Sequence, residues 1–193
     1  MTKRWRRGDA GFTMLEVLVV LTVLGLMAAW GLPSMVQLLN RIRLTSTADE
    51  ALVMMQRARL EAIKKGTTAQ VVYKDAATST LGQPSFEVTV TGIATPVLGP
   101  SPLPKGIRLW GPTDTSAEGA HSMVTWTTGP TFNSDGSVEQ TGAYRLRDQN
   151  GNYLEVNILF EGTGKGVIRK WFGGANPDAN WHERGEPGYE WQF

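Results

Sequence analysis

The sequence predicts an α+β protein in which one long N-terminal helix lies on a domain of antiparallel β-strands. The first observation is a run of helix formers after an uncharged segment, ending at Gly66. The second is that the hydrophobic period then changes from 3.6 residues to two, as expected where helix gives way to half-buried strands. Because helix and strands are segregated along the chain, the pattern favours an α+β fold.

The N-terminal segment predicts a single membrane span. A basic head, Met1 to Ala10, carries Lys3, Arg4, Arg6 and Arg7 against one acid, Asp9. The 24 residues Val17 to Asn40 then contain no charge. A helix of about 20 residues crosses the ~30 Å hydrocarbon core of a bilayer. We therefore expect a transmembrane segment at 12–40, with the N-terminus in the cytoplasm and the rest exported.

One acidic residue, Glu16, lies at the start of this apolar run. An unpaired carboxylate costs about 2.5–3.5 kcal/mol at the centre of a membrane and less near its face, so Glu16 needs a partner. A secretory signal would have a shorter apolar core and a small-x-small cleavage site after it, which Ala28-Ala29-Trp30 supplies poorly. An ordinary single-span anchor explains the basic flank and the apolar run, but it does not explain Glu16.

The residues Gly11-Phe12-Thr13-Met14-Leu15-Glu16-Val17-Leu18 resemble the class III signal of type IV prepilins and pseudopilins. This resemblance implies that a prepilin peptidase removes residues 1–11 by cleaving after Gly11. It also implies that the new N-terminal residue, Phe12, is N-methylated. Glu16 would then pair with an N-terminal amine during filament assembly.

The helix is expected to continue beyond the membrane as an amphipathic segment, 41–66. An apolar stripe recurs at three- and four-residue spacing and predicts a face packed on the sheet. The stripe consists of Ala48, Leu52, Met55, Ala58 or Arg59, and Ala62. Gly66 is predicted to end the helix. Gly31 and Pro33 predict a kink or local melting within the apolar run.

Residues 67–193 are predicted to form the exported β-rich domain. Alternating residues indicate strands near 69–73, 86–90, 107–109, 123–127, 143–147, 153–160 and 167–172. Thr91 to Pro104 reads as a surface loop, and Asn150-Gly151 predicts a two-residue type I′ hairpin turn. On the strand at 153–160, Phe160 is expected to share one face with Leu154, Val156 and Ile158. The last residues, 173–193, show no strand periodicity.

A narrower resemblance comes from the end of the helix and from two later segments. The stretches Arg43 to Leu52 and Ala58 to Gly66 look like the GspH/FimT family of minor pilins and minor pseudopilins. Phe132 to Val138 resembles that family's F-x-x-x-G turn, and Gly166-Val167-Ile168-Arg169 resembles its last strand. This implies the type IV pilin fold. The likeness covers 12–66 and, less closely, 130–172, and the cysteine pair of some members is missing.

Composition argues against several functional classes. Without residues 1–11 the chain loses four of its 19 basic and one of its 18 acidic residues, which leaves a net charge of −2. Its overall charge therefore gives no reason to expect nucleic-acid binding. The chain has no cysteine, which rules out disulfides and Cys-type metal sites.

No motif supports an enzyme, so we assign no catalytic residue, cofactor or metal ligand. Gly162-Thr163-Gly164-Lys165-Gly166 lacks the spacing and the following helix of a phosphate loop, and a glycine hairpin is favoured. Asp148 to Asn152 lacks the arrangement of a calcium loop, and a turn is favoured. His121 and His182 have no catalytic or metal-spaced partner and read as loop residues.

A DNA-binding surface is the alternative, since some minor pilins of the resembled family bind DNA. Such a surface would centre on the last hairpin, where Lys165, Arg169 and Lys170 flank Trp171, expected to be exposed. Further cations and an aromatic residue that could join it are Arg145, Arg147, Arg184 and Trp181. The acids of the tail, Asp178, Glu183, Glu186 and Glu190, argue against this interpretation, because they predict an ordinary mixed-charge face.

The sequence therefore predicts a non-enzymatic minor pilin of a type IV pilus or minor pseudopilin of type II secretion. Such a subunit would prime assembly or lie near the filament tip. Its expected partners are other pilins or pseudopilins, the prepilin peptidase and the inner membrane, with DNA possible but not favoured. Its expected location is the inner membrane, as a single-pass protein, and then a filament in the periplasm or at the cell surface.

Overall fold

A computed structural model describes residues 12–112, 122–176, 178–187 and 189. Contacts divide the chain into two compact units, Met1–Leu39 and Asn40–Phe193. The leader, with Gly11, and the histidine at position 121 lie outside the described residues.

The N-terminal element is one helix, α1, Met14–Lys65. Its assignment is unbroken through residues 31–33, so the local melting expected at Gly31 and Pro33 is not found. The C-terminal end is closed as predicted. Gly66 has a φ of 61°, and the amides of Gly66 and Thr67 bond to the carbonyls of Ile63 and Ala62 at 3.3 and 3.2 Å. This Schellman arrangement satisfies two helix carbonyls and needs a residue that tolerates the left-handed conformation.

Within the described residues, ten strands follow the helix. They are β1 Ala69–Lys74, β2 Ser85–Val90, β3 Leu98–Pro102, β4 Arg108–Leu109, β5 Met123–Val124, β6 Thr131–Phe132, β7 Gly142–Arg147, β8 Tyr153–Ile158, β9 Gly166–Trp171 and β10 Trp181–Glu183.

All pairings of these strands are antiparallel, and they form two sheets. The smaller sheet has the order β3-β2-β1-β6. The larger has the order β10-β9-β8-β7-β4, and β5 pairs with β7 beside β4. A long N-terminal helix with antiparallel sheets confirms the predicted α+β class and is consistent with the type IV pilin fold.

The core forms where the distal half of α1 meets both sheets. The buried helix face is built largely from small side chains, which let backbones approach closely: Ala48, Ala51, Ala58 and Ala62 are fully buried. At the start of β9, a Cβ on Gly166 would lie 2.4 Å from Cδ1 of Leu52, so a larger residue there would displace that side chain. The predicted stripe therefore does pack on the sheets, although Leu52 is only partly buried and Leu44 and Ala51 were not foreseen.

The face of the larger sheet turned away from the hydrophobic core carries four charged residues in register, which we call the charge row. They are Arg145 on β7, Glu155 on β8, Arg169 on β9 and Glu183 on β10. Nε of Arg145 lies 2.9 Å from Oε2 of Glu155, and Nη1 of Arg169 lies 3.3 Å from Oε1 of the same carboxylate. Arg145 and Glu155 are each 2% exposed, so this is a buried ion-pair network.

Several strand predictions were wrong. Thr91 to Pro104 is not only a loop, because β3 lies within it and pairs with β2. Its prolines are tolerated because β3 is the edge of its sheet, where an amide can be missing without breaking a ladder. Strand β8 ends at Ile158, and Phe160 is 66% exposed instead of sharing the buried face.

The turn at Asn150-Gly151 also differs from the prediction. Gly151 has a φ of 81°, but Asn150 is not among the residues with positive φ, so the type I′ assignment was wrong. The loop has five residues, 148–152, and Asp148 organises it. The Asp148 carboxylate accepts hydrogen bonds from the amides of Asn150 and Asn152 at 2.9 and 2.8 Å, and from Nδ2 of Asn152 at 2.7 Å. Side-chain acceptors of this kind favour longer turns than the two-residue hairpin.

Candidate functional site

The helix α1 begins with a cap made by Thr13. The amide of Glu16 donates to Oγ1 of Thr13 at 3.2 Å and to its carbonyl at 3.1 Å. Thr13-x-x-Glu16 has the spacing of a capping box, in which the first side chain satisfies an amide that has no partner in the helix. The acid also lies in the first turn, where the positive end of the helix dipole stabilises a carboxylate. The sequence contained this signal, and our sequence analysis missed it.

The side chains of this segment are exposed. Phe12 is 81% exposed, and the large apolar residues from Val17 to Met27 range from 46% to 68%. The helix is long and apolar enough to cross a membrane, and none of its most apolar window is buried. An apolar surface of this extent is unfavourable in water, so the segment fits anchoring in the inner membrane.

Glu16 forms no ion pair with any of the described residues. Gly11, the predicted cleavage site, is outside the described residues, whereas Phe12 is the first residue that the structure describes. Phe12 and Glu16 are four positions apart, on either side of the Thr13 cap.

The residues proposed for DNA binding do not form one surface. Lys165 is exposed in the turn between β8 and β9. Arg169 and Lys170 are neighbours on β9 and so point to opposite faces of the sheet. Arg169 belongs to the charge row, whereas Lys170 is 8% exposed and its Nζ lies 3.2 Å from the carbonyl of Tyr189. Desolvation, together with the nearby charge of Arg41, lowers the pKa of Lys170.

Trp171 is not the exposed aromatic residue that we expected. It is partly buried, and its ring meets that of Tyr153 edge to face at a centroid distance of 5.3 Å. Its indole nitrogen is shielded from solvent and has no hydrogen-bond partner among the described residues. A base could stack on Trp171 only if this contact changed.

Three of the other cations named for DNA are held by neighbours. Nη2 of Arg145 lies 2.7 Å from Oδ1 of Asp178, and its guanidinium lies 5.1 Å from the ring of Trp181. Nη1 of Arg184 lies 2.8 Å from Oδ1 of Asp49 on α1, and this bond raises the pKa of Arg184. The guanidinium of Arg147 lies 5.6 Å from each of two aromatic rings, those of Trp110 and Tyr153.

The described part of the tail, residues 173–176, 178–187 and 189, also contributes to the structure of the domain. Strand β10 extends the larger sheet beyond β9, and Trp181 is 8% exposed. Nδ1 of His182 lies 3.6 Å from Oε2 of Glu186, and its ring contacts that of Phe172 at 4.7 Å. Sequence periodicity gave no sign of β10, because a three-residue strand is too short to show alternation.

Comparison with known proteins gives one match, at the N-terminus. Neither a curated protein nor a solved structure matches the chain. Residues 6–32 match the family model for the prokaryotic N-terminal methylation motif, and this match, on the apolar helix described above, supports the type IV pilin and pseudopilin class for this chain.

Proposed function

We propose that this protein is a minor pilin or minor pseudopilin of the GspH/FimT type. It is a structural subunit that primes assembly of a type IV pilus or type II secretion pseudopilus, or lies near its tip. The methylation motif at residues 6–32 carries the proposal, because it covers the start of a long exposed apolar helix. The type IV pilus is preferred over the secretion system because Arg43 to Leu52 looks closer to the FimT-like branch.

In this proposal the chain is inserted in the inner membrane with its basic head in the cytoplasm. The prepilin peptidase cleaves after Gly11, and Phe12 becomes the methylated N-terminus. Residues 12–40 serve as the membrane and assembly segment, 41–66 as the helix packed on the sheets, and 67–193 as the exported domain. The partners are other pilins or pseudopilins.

Glu16 has two possible roles that must be separated. As a capping-box residue it would stabilise the first turn of α1, and glutamine would serve equally well. As an assembly residue it needs its charge, because pairing with the Phe12 ammonium of a neighbouring subunit recovers part of the cost of a carboxylate in hydrocarbon. The proposal assigns the second role to Glu16 in addition to the first.

Processing is tested by mass spectrometry of the protein purified from membranes. The wild-type chain should begin with methylated Phe12, and Gly11→Val should keep residues 1–11, because the peptidase site accepts only a small residue there. Gly8→Val is the matched control and should be cleaved normally. A wild-type N-terminus at any other residue would refute the prepilin assignment.

Assembly is tested with Glu16→Gln and Glu16→Ala, measured by the amount of each variant in purified filaments. Both variants should insert in the membrane and lose residues 1–11. Both should enter filaments poorly, since neither carries a charge at position 16. Normal incorporation of Glu16→Gln with loss of Glu16→Ala would mean that capping alone accounts for this residue.

A further inference from the structure

Three cations surround a cleft at the end of the larger sheet where β4 pairs with β7. We call it the Arg147 cleft, lined by Lys105, Arg108, Trp110, Arg147, Asp148 and Gln149, with a volume of about 320 Å³. Lys105 and Arg108 are exposed and Arg147 is half-buried. The cleft lies within the second compact unit, and the function proposed above does not use it.

The two arginines face each other directly. Arg108 on β4 is the register partner of Arg147 on β7. Like charges at directly opposed positions of an antiparallel pair repel. Within the described residues, no acid forms an ion pair with Lys105, Arg108 or Arg147. The charge row on the same sheet is different, since there each of the register partners Arg145, Glu155 and Arg169 faces an opposite charge.

The guanidinium of Arg147 is held in place before any ligand arrives. It lies 5.6 Å from the ring centroids of both Trp110 and Tyr153. Its Nε is shielded from solvent and has no hydrogen-bond acceptor among the described residues. The Arg147 guanidinium is already partly desolvated, and its position is fixed. Binding an anion therefore costs less desolvation and ordering free energy at Arg147 than at a mobile surface lysine.

Asp148, the one carboxylate among the described residues that line the cleft, is already hydrogen-bonded. Asp148 is 2% exposed, and both of its oxygens accept hydrogen bonds from the loop that it organises, from the backbone of Asn150 and from Asn152. Its charge lies beside Arg147 along the chain, but it accepts none of the guanidinium hydrogen bonds. Among the described residues that line it, the cleft therefore has a surplus of positive charge next to an aromatic wall.

We propose that the Arg147 cleft binds an oxyanion, a carboxylate or phosphate group carried by a small organic molecule. Guanidinium groups match these planar or tetrahedral anions through paired N–H donors, and Lys105 adds a third charge. The anion removes the repulsion between Arg108 and Arg147, and Trp110 offers an apolar surface to the remainder of the ligand.

The test uses the full chain in a neutral detergent, with thermal unfolding followed by tryptophan fluorescence. Sodium phosphate and sodium glucuronate are titrated separately against sodium chloride at matched ionic strength. A ligand that binds only the folded state raises the midpoint temperature of unfolding. Once the ligand concentration exceeds the dissociation constant, the rise follows the logarithm of that concentration. We expect this rise with at least one probe. Phosphate alone would identify a phosphate ester as the ligand class, and glucuronate alone a carboxylated sugar.

Exposed side chains supply the variants, so folding is preserved. Arg108→Gln and Lys105→Gln should each weaken the apparent affinity about tenfold, the loss expected for one charge-assisted hydrogen bond. Lys165→Gln is the matched control: it removes an exposed charge at the opposite end of β8 and should bind as the wild type does. Without ligand, Arg108→Gln should unfold at the same temperature as the wild type or higher, because the repulsion is gone.

Three results would overturn the proposal. The first is a midpoint that rises no more with phosphate or glucuronate than with chloride. The second is an unchanged affinity in Arg108→Gln, and the third is an equal loss in Lys165→Gln, which would show an effect of net charge and not of the cleft.

Discussion

The hydroxyl of Tyr144, on β7 of the larger sheet, lies 2.9 Å from the carbonyl oxygen of Val71, on β1 of the smaller sheet. It also lies 3.0 Å from the carbonyl oxygen of Thr128. The ring is fully buried between Phe86 and Trp126, with centroid distances of 5.0 and 5.1 Å. A Cβ on Gly129 would lie 1.9 Å from both the hydroxyl and the Val71 oxygen, so only glycine fits there. One phenol therefore joins the two sheets.

Tyr144→Phe should destabilise the domain with little change in its packing. The substitution keeps the ring but removes the hydroxyl donor of the Val71 carbonyl oxygen, whereas the Thr128 oxygen keeps the amide of Tyr73 at 3.2 Å. Leaving a buried acceptor without its donor costs about 1–3 kcal/mol in free energy of unfolding. Urea unfolding of the detergent-solubilised chain, followed by fluorescence, measures it. An unchanged midpoint would mean that the hydroxyl does not join the sheets.

The same phenol predicts a loss of stability at alkaline pH. Burial raises the pKa of Tyr144 well above its usual value near 10. The unfolded chain then loses this proton at lower pH than the folded chain. The contribution of protonated Tyr144 to the free energy of unfolding is therefore complete below about pH 10 and is lost as the pH rises towards the folded pKa. The wild-type unfolding midpoint should fall above pH 10, and it should fall less steeply in Tyr144→Phe. Parallel curves would contradict this.

Two acids that contact Arg145 should differ greatly in their contribution to the free energy of unfolding. Glu155 is 2% exposed and pairs with two arginines, whereas the Asp178 side chain is 62% exposed. Breaking a buried pair costs about 3–5 kcal/mol, while an exposed one is worth about 0–1 kcal/mol. Glu155→Gln should therefore lower the free energy of unfolding far more than Asp178→Asn. Glu161→Gln, an exposed acid, is the control. Similar effects of Glu155→Gln and Asp178→Asn would show that the charge row is not a buried network.

The distal half of α1 should be required for a soluble domain. Residues 41–193 keep the alanine face that covers the sheets, and this fragment should be soluble, with mixed helical and β circular dichroism. A fragment of residues 66–193 would expose buried residues of β1, β8 and β9 and should aggregate. Size-exclusion chromatography compares the two. A folded, monomeric 66–193 fragment would show that the helix is not part of the core.

DNA binding should be weak. Arg145, Arg169 and Arg184 are already paired with acids, and Lys170 is buried. Each phosphate contact contributes a slope of about −0.9 to log K against log salt, so a shallow slope is expected. Fluorescence anisotropy of labelled DNA with the full chain measures it, and Lys165/Arg169/Lys170→Ala is the comparison variant. Sub-micromolar binding at physiological salt that this triple variant abolishes would instead favour the uptake role.

The sequence predicted those elements whose residues have a regular chemical period. Helix α1 and strands β1, β2, β7 and β9 were found within about two residues, because their buried positions recur at fixed spacing. Strand β3 was missed because an edge strand pairs on one side and tolerates Pro100 and Pro102. The turn at Asn150-Gly151 was misread because the hydrogen bonds that Asp148 accepts from Asn150 and Asn152 organise a five-residue loop instead of a two-residue one.

The candidate site was predicted in part for a different reason. Glu16 could be singled out because a carboxylate in an apolar run is unusual in any context. The Arg147 cleft could not be predicted, because Arg147 follows Lys105 and Arg108 by about 40 positions. The three residues come together only through the pairing of β4 with β7. The burial of Trp171 and Lys170 likewise depends on long-range contacts that no local pattern shows.

The bond between Asp49 and Arg184 has a consequence for the order in which this domain is completed. The two residues are 135 positions apart, one on the first element of the domain and the other just after the last strand. Strand β10 and Arg184 leave the ribosome after everything that they cover, and contacts this distant form late in folding. Until then β9 is an unpaired edge. A chain without β10 would therefore leave the edge of β9 open to pairing with a strand of another molecule, so the tail protects this sheet from aggregation.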